Sequence, residues 1–199
     1  MTNLFFIRHA HTELNKGRYF QGGQTDSRLD DIGKEQLAKS AVRMNEALPD
    51  DYLLVSSPLI RTKETVQGLK LKTDNIIYDN QIREIDFGVW EGRHIDSVRA
   101  KYPDEVARYI NNDPDVKVKN GESIQEVADR MVASIEYYAK SDYENVVFVS
   151  HGNSISIGLS ALLLISKFQR IVAIPQNVSL TELSYESTPR IIFYNRVFY

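Results

Sequence analysis

The apolar positions of this chain fall into two rhythms. Phe5-Phe6-Ile7, Leu53-Leu54-Val55 and Val146-Val147-Phe148-Val149 are short unbroken runs, the pattern of strands buried on both faces. Between them, apolar residues recur at helical spacing. Over 33–48, Leu37, Ala41, Met44 and Leu48 form one stripe, with Asp30 or Asp31 placed to cap it. Ser57-Pro58 predicts a helix running to about residue 68, with the serine as N-cap and the proline at the first helical position. Ser123-Ile124-Gln125-Glu126 is a capping box, and Ile124, Val127, Met131, Ile135 and Tyr138 continue one helical face. A mostly apolar helix is expected over 153–165 and a short strand over 76–78. Strands at 178–185 and 190–193 flank Glu186-Ser187-Thr188-Pro189 as a hairpin. The stretch 90–120 is polar and interrupted by Pro103 and Pro114, which predicts short helices and loops. Strands alternating with helices give an α/β fold, a three-layer α/β/α sandwich with a mainly parallel central sheet in one domain over 1–199.

The apolar runs lead into groups that bind or attack anions. Phe5-Phe6-Ile7 stops at Arg8-His9. Ligands in open α/β sheets sit beyond the carboxyl ends of the strands, so this pair reads as an anion site holding a nucleophile or base. Val149 is followed by Ser150-His151-Gly152-Asn153, a second histidine opening a helix, and Gly152 would let backbone and anion approach closely. Arg61 falls in the first turn of the helix predicted after Ser57, whose N-terminus favours a nearby anion. Arg8 and Arg61 are planar forks suited to phosphoryl oxygens. The loop Glu84-Ile85-Asp86-Phe87-Gly88-Val89-Trp90-Glu91-Gly92 offers Glu84, Asp86 and Glu91 as candidate proton donors.

Composition narrows the partner. A chain of 199 residues can bury roughly 70% of its unfolded surface. Its 24 basic and 27 acidic residues leave a net charge of −3, which offers no field suited to nucleic acid or an anionic membrane. Without cysteine, neither a disulfide framework nor a cysteine-ligated zinc site is possible. The N-terminus starts directly on a strand, and the longest apolar stretch, 155–165, is broken by Ser156, Gly158 and Ser160. A soluble cytoplasmic protein acting on a small molecule is the expectation. His9-Ala10-His11 also spells His-x-His, a metal-hydrolase pattern. Such barrels need about 250 residues and further ligands after later strands, and only His94 and His151 remain. No metal and no cofactor are expected.

In this order and spacing, the four segments resemble the histidine phosphatase superfamily, the phosphoglycerate-mutase-like group. Its pattern is Arg-His-Gly near the N-terminus, Ser-x-x-x-Arg-x-x-x-Thr, Glu-x-x-x-Gly-x-Trp-Glu-Gly, and a late Ser/Gly-His-Gly. The resemblance implies that His9 is the nucleophile, with its second ring nitrogen donating to a backbone carbonyl. It implies that Glu84 is the general acid, that Glu91 is structural, and that His151 carries positive charge beside the transferring group. Arg8, Arg61 and Gly152 would surround that group, and Asn15, Gln21 and Gly22 would contact it. Ala10 departs from the family glycine, and a methyl group is tolerable there if φ is negative. Arg28 replaces a more usual proline and reads as a solvated side chain. Mutases of the family are longer, with an insertion and a C-terminal tail, and carry Glu-Arg-His-Tyr-Gly where this chain has Glu84-Ile85-Asp86-Phe87-Gly88. A metal-independent phosphomonoesterase using a phosphohistidine is therefore the expectation, with 93–120 as its substrate lid. A cofactor-dependent phosphoglycerate mutase and a non-catalytic phospholigand-binding module are the alternatives.

Overall fold

Alternation along the first strand sets the layers. In β1 (Thr2–Arg8), Leu4 and Phe6 enter one core cluster while Phe5 and Ile7 enter the other. The same split occurs in β4 (Asn145–Ser150), with Val146 and Phe148 on one face and Val147 and Val149 on the opposite face. Phe6 and Phe148 stack with ring centroids 4.9 Å apart, tying the two strands together. The computed structural model describes residues 1–72, 76–163, 172–186 and 188–199.

Six strands of the described residues form one sheet. Its other members are β2 (Leu53–Ser56), β3 (Ile76–Tyr78), β5 (Leu180–Tyr185) and β6 (Arg190–Arg196), in the order β3-β2-β4-β1-β5-β6. β3, β2, β4 and β1 run parallel, and β5 and β6 add an antiparallel edge. The helices α2 (Asp31–Ala47) and α3 (Ile60–Leu69) cover one face through Leu37, Met44, Val66 and Leu69. The other face receives α6 (Ile124–Ala139) and α7 (Gly152–Leu163) through Ile124, Met131, Ile135, Ile155 and Leu159. The chain is thus an α/β sandwich with a mostly parallel sheet.

Local chemistry places most element ends. Asp30 caps α2 by accepting from the Gly33 amide at 2.8 Å, and Ser123 and Glu126 close their capping box at 3.1 and 2.8 Å. The start of α3 differs from the sequence expectation. Leu59, not Ser57, is the N-cap, and Ser57 instead turns its hydroxyl toward His151. The helix stops at Lys70 in the left-handed conformation, φ 52°. Helix α7 begins at Gly152, one residue before its expected start, and positions 164–165 lie outside the described residues, as does Ser187 in the hairpin turn.

The stretch 93–120 forms α4 (Ile95–Lys101), α5 (Pro103–Ile110) and connecting loops, as its two prolines predict. Val98, Val106, Val116 and Val118 are buried in the same cluster as α6 and α7. Trp90, fully buried, sits among Phe20, Phe87, Tyr102 and Tyr109, joining this stretch to the loop that carries Glu84. Among the described residues, no helix is long and apolar enough to cross a membrane.

Candidate active site

The Arg8-His9 step leaves the sheet where β1 lies between β4 and β5, at the carboxyl end of two parallel strands. Its main chain is held from both sides. The His9 amide donates to the Ser150 carbonyl at 3.0 Å, and the Asn177 side chain donates to the His9 carbonyl at 2.8 Å. The Val178 amide donates to the Arg8 carbonyl at 3.0 Å, with Val178 in the left-handed region at φ 53°. That conformation is costly for a β-branched residue, and full burial of the side chain helps to hold it there. Nδ1 of His9 lies 2.7 Å from the Ala10 carbonyl. A carbonyl can only accept, so Nδ1 carries the proton and Nε2 keeps its lone pair. Burial first, then the charges of Arg61 and Arg8, push the His9 pKa well below 6.5. Ala10 has no positive φ; its methyl is buried against the α2 and α3 side, and its amide donates to Thr65 at 2.9 Å.

Arg61 is fully buried, and each of its three nitrogens makes one hydrogen bond within the protein. Its Nη1 donates to the Thr25 carbonyl at 2.8 Å, its Nη2 to the Gly22 carbonyl at 3.2 Å, and its Nε to His151 Nδ1 at 3.1 Å. A guanidinium only donates, so Nδ1 of His151 is an acceptor, and its Nε2–H donates to Ser57 Oγ at 2.8 Å. His151 is therefore neutral, which corrects the expectation of a cation. Burial, then Arg61 and His9, hold its pKa well below 6.5. Arg61 itself is lowered to about 10, chiefly by burial and against the pull of Glu84, and remains charged near neutrality. The His9 and His151 rings stand 5.2 Å apart between centroids. Arg8 donates from Nη1 to the Pro175 carbonyl at 2.6 Å, and among the described residues its buried Nε has no hydrogen-bond partner. Gly152 provides the room for it, since a Cβ there would lie 3.0 Å from Arg8 Cζ and 2.8 Å from Ile174.

Glu84 docks on the first turn of α7. One carboxylate oxygen accepts from the Ser154 amide at 3.0 Å, its hydroxyl at 3.1 Å and the Ile85 amide at 3.0 Å. The other accepts from the Asn153 amide at 3.1 Å and its side chain at 3.3 Å. The two other carboxylates of the loop have different tasks. Asp86 accepts from the Gly88 amide at 2.7 Å and from Gln24 at 2.6 Å. Glu91 accepts from the Gln24 and Phe87 amides and from the Thr25 hydroxyl. Both fix loop geometry.

Between β1 and α2, Asn15 lies in the short helix α1 (Glu13–Lys16), and Gln21 and Gly22 in the loop that follows it. Oδ1 of Asn15 accepts from the Thr12 amide at 3.1 Å, and Oε1 of Gln21 accepts from the Thr12 hydroxyl at 2.9 Å. Gly22 must lack a side chain, because a Cβ would come within 2.5 Å of the Ile85 carbonyl and 2.3 Å of Glu91. That closeness lets its carbonyl receive Arg61. His11 pairs with Asp30 at 2.7 Å and thereby belongs to the α2 cap. Arg28 is exposed and bonded to Glu64 at 2.6 Å.

A sequence model of the histidine phosphatase superfamily (branch 1) matches residues 4–195. The chain belongs to that superfamily. A protein named probable phosphoglycerate mutase GpmB, from Escherichia coli, is 30% identical over 190 residues, covering 94% of this chain and 87% of its own. The structure of a mycobacterial glucosyl-3-phosphoglycerate phosphatase complexed with VO3 superposes with a TM-score of 0.87 at 28% identity, over 98% of this chain and 100% of that one. A phosphoserine phosphatase from Entamoeba histolytica, in complex with 3-phosphoglyceric acid, shares the fold with a TM-score of 0.81 at 24% identity, over 99% and 98% of the two chains.

This member of the superfamily also uses residues to which the sequence assigned no role in the site. Ser57 buries its hydroxyl against His151, Asn177 and Pro175 steady His9 and Arg8, and Asn153 and Ser154 seat Glu84. Each acts on a partner 69 or more positions away, the longest separation being 168. Such pairing leaves no periodic trace in the sequence.

Proposed function

We propose that this histidine phosphatase hydrolyses phosphate monoesters of small metabolites without a metal, through a phosphohistidine on His9. One observation carries the reading. His9 Nε2 presents a lone pair because Nδ1–H is fixed on the Ala10 carbonyl, and the ring lies beside two buried guanidinium groups. Nε2 attacks phosphorus, forming the N–P bond as the P–O bond to the alcohol breaks. Arg8, through its free Nε, and Arg61 stabilise charge on the three equatorial oxygens. Glu84, entering the reaction protonated, gives its proton to the departing alkoxide and as a carboxylate takes one from the water that displaces His9 and releases phosphate. The stretch 93–120 is the lid, linked to the Glu84 seat by the Tyr109 hydroxyl donating to Asn153 at 3.0 Å.

The relative named as a probable phosphoglycerate mutase favours a second reading, in which the phosphoryl group returns to another hydroxyl. Hydrolysis is the stronger reading because the chain is 28% identical to a phosphatase across its length and has Ile85-Asp86-Phe87 after Glu84. The test is rapid quenching with labelled substrate in excess chelator. The label should appear on His9, stable to base and labile to acid, and His9→Ala should abolish both labelling and phosphate release. Turnover by His9→Ala at the parent rate would overturn the phosphohistidine, and activity lost to chelator and restored by a divalent ion would overturn metal independence. Interconversion of 3- and 2-phosphoglycerate far exceeding phosphate release would establish the mutase instead.

A further inference from the structure

We propose that the Arg130–Glu122 pair is a clamp that positions Glu84 for proton transfer; the inference rests on the reading of Glu84 as the proton donor. Helix α7 holds the carboxylate, but the main chain that delivers it is held by a different element. Arg130, projecting from α6, donates through Nη1 to the Gln81 carbonyl at 2.6 Å and the Arg83 carbonyl at 2.8 Å. Its other two donors form a fork on Glu122, Nε to Oε1 at 2.7 Å and Nη2 to Oε2 at 3.0 Å. Oε2 of Glu122 also accepts from the Asp86 amide at 2.9 Å, and the Glu122 amide donates to the Asp86 carbonyl at 2.8 Å. The pair therefore grips the main chain on both sides of Glu84, at 81 and 83 before it and at 86 after it.

Two features separate this arrangement from an ordinary surface ion pair. The Arg130 side chain is only 13% exposed and Glu122 27%, so the fork is largely shielded from water. All the loop atoms it bonds are backbone atoms within three residues of Glu84. One helical turn further on, Ser134 donates to Asp79 at 2.7 Å, and the other Asp79 oxygen caps the turn at the Gln81 amide at 2.8 Å. Arg130 and Ser134 thus dock one face of α6 along the entry to the loop. A proton donor is effective only within hydrogen-bond reach of the leaving oxygen, and a rigid support sets that reach. Lysine cannot reproduce the clamp, because one ammonium cannot fork on Glu122 and also span two carbonyls.

The test is a double-mutant cycle on the intact protein with two substrates. p-Nitrophenyl phosphate has a leaving group that departs largely unaided, whereas the phenolate of phenyl phosphate gains from a proton. Arg130→Lys should lower kcat on phenyl phosphate roughly tenfold or more, with little change in KM, and lower kcat on p-nitrophenyl phosphate much less. In the Glu84→Gln background the same substitution should add almost nothing. Glu122→Gln, which keeps one oxygen for Arg130 and loses the carboxylate fork, should show the same selectivity in milder form and serves if Arg130→Lys does not fold. Equal loss on both substrates, or effects that multiply in the double mutant, would overturn the clamp. The role of Glu84 is read separately: if Glu84→Gln alone harms both substrates equally, the proton-donor assignment fails, while the coupling in the cycle still tells whether Arg130 acts through Glu84.

Discussion

His9 and His151 are neutral at rest for the same physical reason: burial, and a guanidinium already in place. Both therefore titrate at lower pH in the folded protein than in the unfolded chain. Below the ordinary histidine value of 6.5, the unfolded chain binds two protons that the folded site refuses. Their contribution to stability is complete above pH 6.5 and is lost as the pH falls toward the folded values. Each group adds a slope of up to about 1.4 kcal/mol per pH unit in that window. Urea unfolding between neutral and mildly acid pH should show this loss, and substituting both histidines by glutamine should flatten it. An unchanged slope in the double variant would contradict the neutral pair. Arg8, His9, Arg61 and His151 stand out in the sequence because they follow the ends of apolar runs, whereas only the family resemblance separates Glu84 from Asp86 and Glu91 in its loop. The charge of His151 could not, since it depends on Arg61, which lies 90 positions away and points Nε at the ring.

At the scale of elements, α6 does the most for the site while contributing no reacting group. Its capping box satisfies two amides of its first turn and fixes the end next to Glu122, and its buried stripe from Ile124 to Tyr138 holds it on the sheet. Ser123→Ala removes one oxygen acceptor and should cost about 1 kcal/mol, a fall in Tm of roughly 2–4 °C for a chain of this size. Calorimetry would measure it, and a change under about 0.3 kcal/mol would mean that the cap is not holding the helix. This helix was legible in full, because a capping box and an apolar stripe are both local patterns. Helix α3 was legible except at its start. Ser57-Pro58 has the local form of a cap, yet a buried histidine draws the hydroxyl away, and the first turn begins at Ile60. The stretch 93–120 gave up its prolines and its irregularity to the sequence, but not its packing. Val98, Val106, Val116 and Val118 are spaced without a single period because they come from two helices and a loop.

The whole molecule adds what neither residues nor elements contain, the order of the strands. Runs buried on both faces announced a parallel sheet between helical layers. Nothing in their composition says that β1 lies between β4 and β5, since strand order and register are properties of pairs. That position has a consequence in time. Asn3 pairs with Asn145 and Thr2 with Tyr185, partners far apart along the chain. Loops spanning most of the chain must close before His9 has its neighbours, which makes these contacts slow to form. Trp90, the single tryptophan, reports on the aromatic cluster beside the stretch 93–120, a more local assembly. On dilution from denaturant, the proposed phosphatase activity should return no earlier than Trp90 fluorescence, and activity that precedes it would contradict this order. Until the segment leading into β5 docks beside β1, the bonds from Asn177 and Val178 that hold His9 and Arg8 are missing. Under the proposed function, turnover therefore requires this sheet edge to be complete, and a partly folded chain should leave phosphate esters untouched.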